Sequence, residues 1–153
     1  MGAGLKFLAL AALLAGAPVA AAPKDEVLAA TNAFMAALNR GDANAAEAMT
    51  HPSLTIQVLR FPAEGGSKFQ LLSRQQLFDN FRKAPPRNFD ERIVRTRVVI
   101  TRDYAQVWAP YTLDIDGKRI HCGIDNFGWS KLDGQWLLTT FGWTADPKGC
   151  PPK

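Results

Sequence analysis

The sequence predicts an α+β domain in which N-terminal helices pack on a strongly curved antiparallel sheet. Two observations carry this prediction. Apolar residues recur at helical spacing soon after residue 23, and long segments of alternating character, rich in Val, Ile, Thr and aromatic residues, fill the chain from about residue 88 onward. Helices followed by strands joined through tight turns are typical of a sheet covered by helices on one face.

The first 22 residues are interpreted as a signal peptide. Lys6 precedes an uninterrupted apolar run over residues 7–15, and residues 19–22 are the small residues that signal peptidases accept. The run is shorter than the roughly 20 apolar residues of a permanent transmembrane helix, so no stable membrane insertion is expected. We expect cleavage after residue 20, 21 or 22 and a periplasmic or secreted product, residues 23–153, that forms one domain.

The net charge gives no argument for a polyanionic partner. The whole chain carries +4 at pH 7, and loss of Lys6 with the signal peptide leaves +3, from 17 basic and 14 acidic residues. An excess this small does not indicate nucleic acid or an anionic membrane surface.

The two cysteines, Cys122 and Cys150, are predicted to form a disulfide. Both lie in the mature chain, and an isolated pair in an oxidising compartment is most simply a structural bridge. It would tie the Pro-rich tail to the middle of the domain and stabilise the fold by roughly 3–4 kcal/mol. A metal pair or a thiol nucleophile is the alternative, but the sequence offers no further ligands at suitable spacing. We expect no metal and no cofactor.

The helical region contains three segments. Residues 25–39 have apolar side chains at helical spacing, Gly41 is a left-handed stop, and Asp42 can cap a shorter second helix that extends to about residue 49. Residues 54–60 and 68–72 are predicted as strands. Ser73 and Gln76 have the spacing of a capping box, and the helix that they open ends at Pro85 and Pro86.

The C-terminal region is predicted to be an antiparallel meander of four strands. The turns between them are Arg102-Asp103, Asp116-Gly117 and Asp133-Gly134. The predicted strands cover residues 93–101, 105–115, 119–132 and 135–144. In the first of them Arg95 and Arg97 are expected on one solvated face, opposite Val98 and Ile100; an anion site is the alternative reading of this arginine-rich stretch.

Two stretches carry a resemblance to a known superfamily. Residues 39–52 resemble the usual break between its first two helices, and residues 125–137 resemble its last hairpin, with Trp136 after the turn. The chain is thereby similar to the nuclear transport factor 2-like superfamily, which includes ketosteroid isomerases and SnoaL-like cyclases. Tyr111 and residues 121–125 resemble its exported branch. The resemblance implies a cone formed by sheet and helices, a cavity inside it, and frequently a homodimer through the sheet.

Candidate catalytic residues lie on the segment from 121 to 129. His121, Asp125 and Trp129 share one face of their strand, because side chains alternate. A carboxylate in an apolar cavity has a raised pKa and can act as a general base, so Asp125 with His121 or Tyr111 is a candidate acid–base set. The alternative is that Asp125 accepts a hydrogen bond from a neighbouring strand or an arginine.

Four aromatic residues are candidates for ligand binding, since binding pockets are mostly apolar with a few placed polar groups. They are Trp108, Tyr111, Phe127 and Trp129. Packing in the core or a dimer interface is the alternative, and Trp136 is assigned to the core. The first hypothesis is therefore an exported domain that binds a small, largely apolar molecule. An isomerase, cyclase or hydrolase that uses Asp125 is the second hypothesis, and a non-catalytic envelope protein that binds partners through the sheet is the third.

Overall fold

The computed structural model describes residues 21–151, which contain three helices and seven strands. The predicted signal peptide therefore lies almost entirely outside the described residues. Within residues 21–151 no helix is long and apolar enough to cross a membrane. The elements are α1 (Pro23–Asn39), α2 (Ala43–Ala48), β1 (Thr50–Arg60), β2 (Lys68–Ser73), α3 (Arg74–Lys83), β3 (Phe89–Ile93), β4 (Arg97–Thr101), β5 (Tyr104–Ile115), β6 (Lys118–Leu132) and β7 (Gln135–Ala145).

The predicted helix ends are confirmed by their local geometry. Gly41 has a φ of 71°, which a residue with a Cβ adopts only at a cost. The Asp42 carboxylate accepts a hydrogen bond from the Ala45 amide at 2.9 Å and so caps α2. Ser73 and Gln76 form both hydrogen bonds of a capping box at the start of α3. Each of these signals depends only on residues within a few positions of the helix end.

The seven strands form one curved, open sheet with the order β2-β1-β7-β6-β5-β3, and β4 also pairs with β5. Its pairs are antiparallel except for β1 and β7, which run parallel. The helices cover one face of the sheet, called the inner face here. The central hairpins β5–β6 and β6–β7 close through Asp116-Gly117 and Asp133-Gly134, all four with positive φ, as the sequence predicts.

The prediction of one strand over residues 93–101 is wrong. The chain divides there into β3 and β4, and residues 94–96 bulge opposite only two residues of β5. Pro110 of β5 lies at this point and has no amide hydrogen to donate, although its carbonyl accepts a hydrogen bond from Val94 at 2.8 Å. Arg95 sits in the break with a φ of 49°, so it shares no strand face with Arg97.

Strand β1 begins four residues earlier than predicted. It starts at Thr50 and contains Pro52, and its pairing with β7 shifts register between Thr50 and Thr55. The irregularity accommodates a proline, which cannot donate to a regular ladder.

The predicted disulfide between Cys122 and Cys150 is confirmed. The Cα atoms of the two cysteines lie 5.1 Å apart. A second link holds the tail, because Cys122 and Asp146 exchange both backbone hydrogen bonds, at 2.8 and 3.2 Å. The tail is thus fixed beside the N-terminal part of β6.

Candidate functional site

One half of the inner face of the sheet is apolar, and the aromatic side chains of this half pack on helix α1. Phe34 of α1 makes edge-to-face contacts with three rings at centroid distances of 5.5–6.4 Å, namely Phe127, Trp129 and Phe141. Phe127 and Phe141 stack on each other at 5.0 Å. We call these four residues the apolar half. Phe127 and Trp129, predicted as ligand contacts, are fully buried in this cluster.

Towards the other end of the same strands the inner face becomes polar. The register places Asp125 opposite Ala109, Tyr111 opposite Gly123, and His121 opposite Leu113. Leu113 in turn pairs with Glu91 of β3. These four residues (Glu91, Tyr111, His121 and Asp125) form what we call the polar half.

Asp125 and Glu91 form a buried carboxyl pair. The Asp125 side chain is 1% exposed and interacts with that of Glu91, and its Oδ2 atom accepts no hydrogen bond from an N–H or O–H donor among the described residues. Burial, followed by the charge of Glu91 and the hydrogen bond with it, raises the pKa of Asp125 well above its usual range. Burial also raises the pKa of Glu91, to about 7, and this effect exceeds the opposing effect of the hydrogen bond with Asp125, which lowers it. The pair therefore retains at least one proton at neutral pH.

Asn39 holds Glu91 in place. Its side-chain amide donates to the Glu91 carbonyl at 2.8 Å, and its side-chain oxygen accepts from the Glu91 amide at 2.8 Å. These two hydrogen bonds join the last residue of α1 to the middle of β3. Sequence analysis missed Glu91 because its predicted strand began at Ile93. The alternation of Phe89, Glu91 and Ile93 was the signal that could have found it.

Tyr111 and His121 form the second polar pair. The Tyr111 hydroxyl lies 2.7 Å from the Thr144 carbonyl oxygen and 3.0 Å from His121 Nδ1. A carbonyl can only accept, so the single hydroxyl proton goes to Thr144, and His121 must donate from Nδ1 to Tyr111. This arrangement leaves Nε2 of a neutral His121 without a proton. No hydrogen bond joins His121 to Asp125. Of the two predicted catalytic residues, His121 contacts Tyr111 and Asp125 contacts Glu91.

The surroundings keep His121 neutral and Tyr111 protonated. Burial, followed by the positive charge of Arg60, lowers the pKa of His121. Burial and the nearby carboxyl groups of Asp125 and Glu91 raise the pKa of the Tyr111 hydroxyl. At neutral pH this half of the face thus presents an unprotonated imidazole nitrogen and at least one protonated carboxyl.

Gly123 permits the close approach of β7 to this site. A Cβ atom at this position would lie 2.0 Å from the Thr144 carbonyl oxygen, which is far inside van der Waals contact. That oxygen is also the acceptor for Tyr111. Any side chain at position 123 would therefore displace the group that orients Tyr111.

The remaining predicted residues lie elsewhere. Trp108 is on the outer face and is 50% exposed, so it cannot share a pocket with Tyr111. Trp136, predicted for the core, is half-buried and packs against it, while its Nε1 donates to Glu26 at 2.9 Å. Among residues 21–151 no three His, Cys, Asp or Glu side chains are grouped to hold a metal ion.

No protein-family model and no curated protein sequence matches the chain, whereas many solved structures have its fold. A protein of unknown function from Nostoc punctiforme, described as cystatin-like, is 16% identical with a TM-score of 0.64 over 82% of this chain and 92% of its own. A candidate dehydratase of the nuclear transport factor 2-like family from Streptomyces avermitilis is 15% identical with a TM-score of 0.61, covering 79% and 94%.

The chain has the nuclear transport factor 2-like fold. A dioxygenase β subunit from Novosphingobium aromaticivorans has it too, at 16% identity and a TM-score of 0.65 over 80% of this chain and 88% of its own. At these identities the likeness establishes the fold and leaves the chemistry to the residues of the site.

Proposed function

We propose that the protein is an exported binding domain that holds a small, uncharged, largely apolar molecule against the polar half of the inner face. The observation that carries the proposal is the unpartnered Oδ2 atom of Asp125. A buried polar atom without a partner is costly, and a ligand that hydrogen-bonds to it offsets that cost. The signal-peptide pattern of residues 1–22 supports export.

The charge state of the site supports a neutral ligand. Burial and the neighbouring carboxyl group raise the pKa of Asp125 well above its usual range, and burial raises the pKa of Glu91 to about 7. An anionic group would be repelled by Glu91 once that residue ionises, whereas a carbonyl, hydroxyl or amide can hydrogen-bond to a neutral carboxyl group. The apolar half begins at Phe127, two residues further along β6 on the same face, and forms the hydrophobic boundary of the site.

Native mass spectrometry of the protein from its exported location tests this proposal. We expect a non-covalent adduct on the wild type that is lost from the double variant Glu91→Gln, Asp125→Asn, which keeps the side-chain shapes but removes both carboxyl groups. Asp90→Asn, on the neighbouring residue of β3, is the matched control and should retain the adduct. Equal adducts on all three proteins would contradict the assignment of the ligand to the carboxyl pair.

An acid–base enzyme is the second candidate, and the free Nε2 atom of His121 supports it. An unprotonated imidazole nitrogen and a protonated carboxyl on one wall can respectively accept and donate a proton. If the adduct is identified and the protein converts it, we expect His121→Ala and Asp125→Asn each to reduce kcat by about 100-fold or more. Turnover that is unchanged in both variants would contradict the acid–base assignment, and only the binding proposal would then stand.

We also propose that the outer face of the sheet pairs with a second copy of the chain. Phe69 of β2 is 62% exposed and Trp108 of β5 is 50% exposed. Both line one groove on this face, together with Leu59 of β1 and Trp143 of β7. Sedimentation velocity should show a dimer for the wild type and a monomer for Trp108→Lys. A wild-type monomer at micromolar concentration would contradict the pairing.

A further inference from the structure

A separate cavity of about 820 Å³ lies where the C-terminal ends of α1 and α3 meet the beginning of β3. It is open to solvent on one side, and its volume is in the range of small-molecule sites. Its walls are formed by Leu38, Arg40, Gly41, Asp42, Ala43, Asn44, Phe81, Arg82, Ala84, Pro85, Pro86, Arg87, Phe89 and Ile115. None of these residues belongs to the polar half.

The floor of this cavity is aromatic. Phe81 of α3 and Phe89 of β3 meet edge to face, with ring centroids 6.4 Å apart and planes at 88°. Ile115 pairs with Phe89 across β3 and β5 and continues the apolar surface, and Leu38 closes it from α1. An edge-to-face pair with apolar neighbours is a suitable surface for a flat hydrophobic body.

The rim of the cavity is cationic. Arg40 and Arg87 are exposed and form no ion pair among the described residues, and Arg82 is paired with Glu47. Asp42 is the acidic residue of the lining, and its carboxylate already accepts the Ala45 amide that caps α2. Two guanidinium groups are thus available to a ligand.

We propose that this arginine-rimmed cavity binds a small molecule with one anionic group on a planar apolar body. A guanidinium group presents paired donors that match a carboxylate, and Arg40 and Arg87 line the same cavity as the two aromatic rings. The apolar body then covers Phe81 and Phe89, which the cavity leaves open to water. Charge and shape together select this class over a neutral hydrocarbon or a cation.

The walls are held in place without a ligand. Asn39 joins the end of α1 to β3 through two hydrogen bonds with Glu91, and Arg82 joins α3 to α2 through Glu47. Asn88 at the start of β3 exchanges hydrogen bonds with Asp116 in the β5–β6 turn, each at 2.9 Å. A preformed cavity loses little conformational entropy on binding.

This site differs in charge from the carboxyl pair and does not depend on it. The carboxyl pair disfavours an anion, whereas the arginine-rimmed cavity attracts one. The two proposals can therefore fail separately, and a ligand set that separates neutral from anionic compounds distinguishes them.

Titration calorimetry with two probes of the same shape tests the cavity, namely 1-naphthylacetate and its neutral amide, 1-naphthylacetamide. We expect the carboxylate to bind at least 10-fold more tightly than the amide. The double variant Arg40→Gln, Arg87→Gln should lose that preference, while the control Arg97→Gln, Arg102→Gln, which changes two exposed arginines outside the cavity, should keep it.

The position of the bound probe is checked by methyl NMR. The Ile115 methyl signals, assigned through Ile115→Val, should shift on addition of 1-naphthylacetate in the wild type and in the control variant. Equal affinity for the two probes would overturn the proposal. So would an unchanged preference in the Arg40→Gln, Arg87→Gln variant with a native-like spectrum, or shifts confined to residues outside the cavity.

Discussion

Strands β5, β6 and β7 run through both halves of the inner sheet face, yet the contacts change between Phe127 and Asp125. On one side of this boundary Phe34 joins three rings in a dry cluster. On the other side Asp125 and Tyr111 point to the same face but are held by hydrogen bonds. Two residues along one strand separate a region stabilised by ring packing from one held by hydrogen bonds between polar side chains. Each region contains one buried side-chain atom without a hydrogen-bond partner among the described residues, Nε1 of Trp129 and Oδ2 of Asp125.

The polar half is supported from outside by covalent and backbone links. Cys122 directly follows His121, and its bond to Cys150 fixes the tail against β6. Asn39 performs the corresponding role for Glu91 on β3. The comparison shows how the fold can contain the polar half of the inner face. Apolar packing stabilises one end of the strands, and the disulfide and the Asn39 hydrogen bonds stabilise the other.

The largest expected effect comes from breaking the apolar half. Phe34→Ala should lower the free energy of unfolding by about 3–5 kcal/mol, because it leaves a cavity among three rings. Phe69→Ala removes the same side chain from an exposed position and should cost about 1 kcal/mol or less. Urea unfolding followed by far-UV circular dichroism measures both. Similar losses for the two variants would show that the ring cluster is not the main support.

Removing the disulfide tests the support of the polar half. Cys122→Ala with Cys150→Ala should lower the free energy of unfolding by about 3 kcal/mol, because a 28-residue separation is no longer cross-linked in the unfolded chain. Hydrogen exchange of the Cys122 and Asp146 amides should accelerate more than that of the Leu138 amide. Uniform acceleration across β6 and β7 would mean that the link stabilises both halves equally.

An effect of up to about 3 kcal/mol is expected from pH, because one pKa unit corresponds to about 1.4 kcal/mol. The pKa of Glu91 is raised from 4.5 to about 7, so the folded protein keeps a proton that the unfolded chain releases. Stability should therefore fall as pH rises from about 4.5 to 7, and the raised pKa of Asp125 extends the decline to higher pH. Urea unfolding across this range measures it.

The matched variants isolate the source of that slope. Glu91→Gln with Asp125→Asn should flatten the decline, whereas Asp90→Asn, on the same strand, should retain it. A slope that persists in the double variant would assign the pH dependence to other groups.

Local patterns predicted a large part of the fold. The stop at Gly41, the cap at Asp42 and the turns after Ile115 and Leu132 depend on residues close in sequence, and each is present. The alternation from His121 to Trp129 also placed Asp125 and Phe127 on one face. The break at Arg95 was missed because it depends on Pro110, which lies opposite it on another strand.

The candidate site follows the same rule: features of one strand can be predicted from the sequence, and contacts between strands cannot. The pattern of its own strand made Asp125 a candidate, but its neighbour Glu91 reaches it only through the register of β3 with β5 and of β5 with β6. Which aromatic rings fill the interior is likewise a matter of register and helix position. Phe127 meets Phe34 across 93 residues of sequence, and periodicity along β6 contains no information about α1.

The parallel pairing of β1 with β7 has a consequence for how the molecule is made. Residues 50–60 are synthesised early, yet the strand beside them in the finished sheet is β7, which ends at Ala145. Pairs so distant in sequence require a large loop to close before their contacts form, which slows folding. Strand β1 therefore cannot complete its pairing until β7 has been synthesised, and during that interval one edge of β1 has no partner strand.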